Sequence, residues 1–314
     1  MMDQVLDPPV ARQRSLASRL ADPSESTLAW ILLTPAILFL LLIVAYPVAK
    51  LIYNSFFDIR LSGGVAAHFV GLDNYKAVLD DVLFWKALKN TLIITVVTVP
   101  GALVAGLGLA LLANMPFKRR WPVRLALLLP WALPLAFVGL IFAWFFHSEY
   151  GLVNDVIRRL DLLFPGLGLA PQIWFNSPAL TMAAICITTI WKTSSFMALI
   201  LLAGLQTIPA SLYEAAEVDG ASKWRQFTDV TLPLLVPSML VALIFRTLTA
   251  LQSFDIPFNM PGPGDETKTL AMYIQSNTID YLDVGYGSTL AVFMFLLSMA
   301  TTFVYLKYVR GDQS

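Results

Sequence analysis

The chain has 314 residues, 57% of them apolar and only 13% charged, with 21 basic and 21 acidic residues cancelling. An ordinary soluble domain is about half apolar and about a quarter charged, so the excess points to lipid as the solvent. Zero net charge gives no electrostatic footprint for nucleic acid, the single Cys186 excludes an internal disulfide, and two distant histidines, His68 and His147, exclude a Cys/His metal cluster within the chain.

Residues 1–27 are expected to form a cytoplasmic tail, with Arg12, Arg14 and Arg19 anchoring the first span. They do not suit a cleavable signal: the apolar run that follows is too long and lacks a small-residue cleavage site. Runs able to cross about 30 Å of hydrocarbon need about 20 helical residues. Six such runs predict spans at 28–49, 91–113, 125–146, 179–205, 234–254 and 287–306, an all-α polytopic membrane protein. The spans sit in a membrane domain over 28–308, followed by a tail at 309–314.

Basic residues orient the bundle. With both termini cytoplasmic, the inner segments hold Arg12, Arg14, Arg19, Lys118, Arg119, Arg120, Arg124, Lys223, Arg225, Lys307 and Arg310. The longer outer segments hold only Arg60, Lys76, Lys86, Arg158, Arg159 and Lys268.

Within the second span, Ala102, Gly106 and Ala110 recur every four residues, a small-residue stripe suited to close helix packing. Pro35, Pro47, Pro100, Pro130 and Pro134 each remove a backbone hydrogen bond and can kink a helix. Between the third and fourth spans, Leu152, Val153, Val156, Ile157, Leu160 and Leu163 fall at helical spacing among charged residues. They predict a short amphipathic helix resting on the outer membrane face or on the bundle.

Polar groups inside spans are costly and usually face a cavity. The fourth span carries Trp191-Lys192-Thr193-Ser194-Ser195-Phe196, and the fifth carries Arg246, Thr249, Gln252, Ser253 and Asp255, with Asn259 just beyond. An aromatic ring beside hydroxyl, amide and carboxylate groups suits a sugar. Trp191, Ser194, Ser195, Gln252, Asp255 and Asn259 are the candidate substrate path. Two other readings stay open. Lys192 and Arg246 can pair with acidic residues of a partner subunit, and Ser194 and Ser195 can bond their own helix backbone.

The cytoplasmic loop at 206–233 looks folded. Pro209 suits a first helical turn, Gly220 a left-handed stop, and Ser222 the cap of a second helix. On that helix Trp224, Phe227 and Val230 or Thr231 form an apolar stripe, and Pro233 is expected to separate it from the fifth span. Glu214-Ala215-Ala216, Gly220, Val230 and Leu232-Pro233, at spacings of three, nine and one intervening residues, resemble the EAA loop of ABC importer permeases, with Val in place of Ile. Phe69-Val-Gly-Leu-Asp-Asn-Tyr75, Asn90-Thr91, Gly151-Leu-Val-Asn154 and Ile208-Pro209 resemble the carbohydrate, maltose-type branch.

The resemblance implies a type I importer permease fold in the bacterial inner membrane, carrying a di- or oligosaccharide inward. It implies that Glu214, Ala215, Ala216, Asp219, Gly220, Leu232 and Pro233 couple to a cytoplasmic ATPase. The implied partners are a second homologous permease, two ATPase copies and an extracytoplasmic sugar-binding protein. No Gly-x4-Gly-Lys-Ser/Thr phosphate loop occurs in the chain, so ATP and Mg are assigned to the ATPase, and no cofactor, metal or catalytic residue to this chain. The rivals are an ATPase-independent secondary transporter, disfavoured by the lack of an inverted repeat, and a membrane transferase, disfavoured by the lack of acidic or histidine clusters in the outer loops.

Overall fold

The computed structural model describes residues 24–62, 66–115 and 121–311. Arg12, Arg14, Arg19, Lys118, Arg119 and Arg120, which orient the sequence-based topology, lie outside the described residues. The chain falls into two compact units, one ending at Tyr53 and the other beginning at Asn54.

The first unit is dominated by α1 (Glu25–Asn54). The Ser24 side chain caps it by accepting the Thr27 amide, and it runs through Pro35 and a wide π turn at Leu41–Ala45. Near its end the Lys50 ammonium lies 5.2 Å from the Tyr53 ring centroid.

In the second unit a two-residue hairpin, β1 (Phe57–Asp58) with β2 (His68–Phe69), pairs antiparallel ahead of α2 (Asp73–Asp80) and α3 (Val82–Asn114). Then come α4 (Trp121–Ala132), α5 (Leu135–Phe145), the amphipathic α6 (Leu152–Leu163), α7 (Pro178–Gln206) and α8 (Ala210–Val218). The chain finishes with α9 (Lys223–Leu251), α10 (Asp255–Asn259), α11 (Leu270–Gln275) and α12 (Val284–Gly311). Among the described residues, α1, α3, α7, α9 and α12 are each long and apolar enough to cross a membrane, and α4 with α5, bent at a short break, makes a sixth when the pair is counted as one span.

The third span is therefore not the continuous helix expected at 125–146. Its halves meet at 95° across Leu133 and Pro134. Pro134 has no N–H for the Pro130 carbonyl, and in a continuous helix its ring would crowd that same carbonyl. A second correction concerns Pro233, expected to end a helix. Instead α9 runs unbroken from Lys223 to Leu251, because a π turn at Phe227–Thr231 widens the helix just before the proline. That turn closes on Leu232 N–H donating to the Phe227 carbonyl.

The central pair is α3 against α7. The small-residue stripe of α3 faces it: Ala102 and Ala110 are fully buried, and a Cβ on Gly106 would stand 2.5 Å from the Met197 Cβ. Ala110 and Ala113 pack with Ala198, Leu201, Leu205 and Leu235, which brings α9 onto the same core. The end of the bundle that bears the β hairpin is tied by polar contacts. Asn90 Nδ2 donates to the carbonyls of Glu266 and Lys268, and Lys86 pairs with Glu266 at 2.5 Å. Asp81 caps α3 and accepts from the Tyr273 and Tyr286 hydroxyls. Burial alone would raise its pKa, but these hydrogen bonds outweigh burial and hold the carboxyl below its usual range.

Candidate functional site

At the opposite end of the bundle, α8 and the start of α9 form a tight helical hairpin. Pro209 occupies the cap position before Ala210. At the other end, Gly220 N–H donates to the Glu217 carbonyl at 3.0 Å and Ala221 N–H to the Ala216 carbonyl at 2.9 Å. That is the Schellman pair of bonds, and it needs a left-handed residue at the position Gly220 fills with φ of +75°. Among the described residues nothing lies within 4 Å of a Cβ built there, so the glycine serves its backbone angle and not a close approach. Ser222 Oγ then accepts the Arg225 amide and starts α9.

Side chains fix the two helices to each other. The Tyr213 and Thr231 hydroxyls bond at 2.9 Å, and Gln226 Nε2 donates to the Ala221 carbonyl. Lys223 pairs with Glu217, and its hydrogen bond and charge hold that carboxyl below its usual range. Glu214, Ala215, Asp219, Gly220 and Pro233 are exposed, and Ala216 and Leu232 half-buried. Among the described residues Glu214 has no ion-pair partner. Beside it, Val218 is 88% and Trp224 73% exposed, with Trp224 leaning on Phe227. The expected apolar stripe is thus present but turned outward at Trp224.

Between α4, α5, α7 and α9 lies a cavity of about 580 Å³. From α7 it is lined by Thr189, Lys192, Thr193 and Phe196, from α9 by Phe245, Arg246 and Thr249, from the turn beyond by Gln252, Ser253 and Phe254, and from the start of α10 by Asp255. The break in the third span forms a further wall, contributing Trp131 through Leu135. The Lys192 ammonium caps the α4 side of that break, donating to the carbonyls of Pro130 at 2.6 Å and Trp131 at 2.8 Å. Arg246 reaches the Thr98 hydroxyl at 2.8 Å and the Thr249 hydroxyl at 3.2 Å.

Of the residues expected on a substrate path, Gln252 and Asp255 line this cavity. Trp191 points elsewhere, packing on Phe142 at 4.9 Å between centroids. Ser194 and Ser195 are buried, and Ser194 bonds the Trp191 carbonyl of its own helix. Asn259 donates to the Asp255 carbonyl and lies over Gly139 of α5. One helical face, at positions 189, 192, 193 and 196, supplies the lining where the sequence reading took the consecutive run from 191. Trp131 and Thr189 were missed, and Pro130 and Pro134 were read as able to kink the span but not to break it into α4 and α5. The signal for the break is a pair of prolines four residues apart, the second withdrawing the donor of the first's carbonyl.

The chain is similar to known proteins along most of its length. The relatives include the sulfoquinovosyl glycerol transport system permease protein SmoG of Agrobacterium fabrum, 62% identical over 93% of this chain and 94% of the relative. They also include the trehalose/maltose transport system permease protein MalF of Thermococcus litoralis, 36% identical over 91% and 95%. The fold matches a bacterial ABC transporter involved in import of the polysaccharide alginate, with a TM-score of 0.76 at 21% identity, over 94% of this chain and 99% of the other. Residues 102–310 match the family described as the binding-protein-dependent transport system inner membrane component. The chain belongs to that family and is a multi-pass inner-membrane permease subunit of the ABC importer type.

Proposed function

We propose that this permease subunit carries a glycoside into the cytoplasm, with the α8–α9 hairpin as its coupling element and the cavity between α4, α5, α7 and α9 on the sugar path. The observation that carries the coupling role is a capped hairpin that exposes Glu214, without an ion-pair partner among the described residues, together with Ala215, Val218 and Trp224. A carboxylate free to pair and apolar groups free to be covered suit docking into a groove on an ATPase subunit. Residues 1–27 and 309–314 are then tails of a membrane domain whose termini share the hairpin's cytoplasmic side. Two ATPase copies, a second homologous permease and an extracytoplasmic binding protein complete the importer. Closure of the ATPase pair pulls the docked hairpin and switches the bundle between inward- and outward-facing states. The name of the 62% identical relative makes sulfoquinovosyl glycerol the first substrate to test.

The test is ATP-dependent uptake of labelled sulfoquinovosyl glycerol and maltose into vesicles holding the assembled importer. Gly220→Val should abolish uptake while assembly survives, because a β-branched residue at this φ costs about 1–3 kcal/mol of backbone strain and distorts only the hairpin. Normal coupled ATP hydrolysis in that variant would remove the hairpin from the coupling role. Labelling of a cysteine placed at Ser222 from outside intact cells would overturn the orientation.

A further inference from the structure

Among the described residues, two buried side-chain polar atoms have no hydrogen-bond partner, Thr189 Oγ1 and Arg246 Nε. Both belong to residues that line the cavity, although the two atoms themselves are shielded from its open space. Native proteins leave few buried polar groups unpaired, and each such group asks for an explanation. Arg246 is only 4% exposed, and neither it nor Lys192 has a carboxylate within ion-pair distance among the described residues. A guanidinium held at membrane depth against two hydroxyls is costly unless something negative joins it.

The backbone adds charge of the same sign. Pro134 is the cap position of α5, it offers no capping side chain, and Pro134 and Leu135 both line the cavity. The first amides of a helix have no partner within it, and its N-terminus carries about half a positive charge. The opposing C-terminus of α4 is already met by Lys192, which bonds its last carbonyls. Among the described lining residues one carboxylate, Asp255, stands against these, which leaves an excess of positive charge there.

We propose that the cavity is an anion site: Arg246, with the start of α5, receives a sulfonate-type oxyanion borne by the transported glycoside. A planar guanidinium suits such an oxyanion because it offers paired donors. Asp255 and Gln252 are left to accept and donate hydrogen bonds to the sugar hydroxyls. The proposal rests on the glycoside-permease reading and adds to it a charge requirement that neutral sugars do not meet.

The test uses the assembled importer in lipid nanodiscs without its binding protein, so that only the membrane site selects. Equilibrium binding is measured for sulfoquinovosyl glycerol and for neutral glucosyl glycerol. The sulfonated probe should bind about tenfold tighter or more, the scale of a lost charged hydrogen bond. Arg246→Gln should erase that preference by weakening the sulfonated probe alone, and Arg246→Lys should keep part of it. Equal affinity of the wild type for both probes overturns the anion site, whatever the variants do. So does an Arg246→Gln complex that weakens both probes alike, or whose loss of assembly Arg246→Lys does not repair, since Arg246 would then be structural. If the wild-type importer with its binding protein transports neither probe nor maltose, the glycoside reading fails. Transport of the neutral sugars at the rate of the sulfonated one sinks the anion site alone.

Discussion

The second and third spans both contain proline, yet α3 runs 33 residues through Pro100 and the third span turns by 95° at Pro134. Pro100 withdraws one donor, from the Val96 carbonyl on an exposed face of α3, while the opposite face is clamped on α7 through Ala102, Gly106 and Ala110. In the third span Pro130 and Pro134 withdraw donors in successive turns, and the carbonyl that Pro134 strands is that of Pro130 itself. At that point α7 supplies Lys192, whose ammonium takes over the carbonyls of Pro130 and Trp131. A proline alone does not break a membrane helix. A break persists where another element provides the missing donors, because unpaired backbone groups in hydrocarbon are too costly.

The largest expected effect in this comparison comes from Lys192→Met. It keeps much of the apolar stem but leaves two carbonyls at the break without donors, at about 1–3 kcal/mol for each buried group left unpaired. The purified complex should melt several degrees lower and lose uptake. An unchanged melting midpoint would mean that Lys192 does not hold the break.

Pairing that change with Pro134→Ala sharpens the point. Alanine restores an N–H for the Pro130 carbonyl and relieves the ring clash, so the double variant should recover stability relative to Lys192→Met. A double-mutant cycle with no coupling between the two positions would separate the proline from the lysine. Next in size is Gly106→Val in the clamp on α3, where a Cβ would lie 2.5 Å from the Met197 Cβ and 3.0 Å from the Ser194 carbonyl oxygen. Overpacking of this kind costs about 1–3 kcal/mol. Gly108→Ala, with nothing within 4 Å of its Cβ, is the matched control and should leave the midpoint in place.

What the sequence made legible divides along the same line. The spans could be read because lipid demands long uncharged runs, and those at 179–205 and 287–306 fall within two or three residues of α7 and the span at Val284–Lys307. The hairpin could be read because capping is local: Ser222, Gly220 and Ala216 lie within seven residues of one another and carry their own hydrogen bonds. A kink at Pro130 and Pro134 could be read but its depth could not, since the donor that sustains the break is Lys192, about sixty residues away along the chain. The cavity was half legible for a similar reason. Of the polar residues singled out inside the spans, Gln252 and Asp255 line the cavity while Ser194 and Ser195 do not, because which of them share a face depends on the helix period. That period puts Thr189, Lys192, Thr193 and Phe196 together and sends Trp191 to Phe142.

The smallest expected effect, and the one of opposite sign, is Pro100→Ala. Alanine at 100 would donate to the Val96 carbonyl and add one helical hydrogen bond, worth about 1 kcal/mol net. The face concerned is exposed, so the change meets no packed neighbour, and the clamp at Ala102, Gly106 and Ala110 stays as it is. If Pro100 is merely tolerated, the complex should melt slightly higher with uptake unchanged. If instead the weakened turn at Pro100 is a hinge used during switching, uptake should fall although stability rises. Measuring both quantities on the one variant separates these cases. A loss of uptake would move the flexible point of the bundle from the break held by Lys192 to the helix that looks continuous.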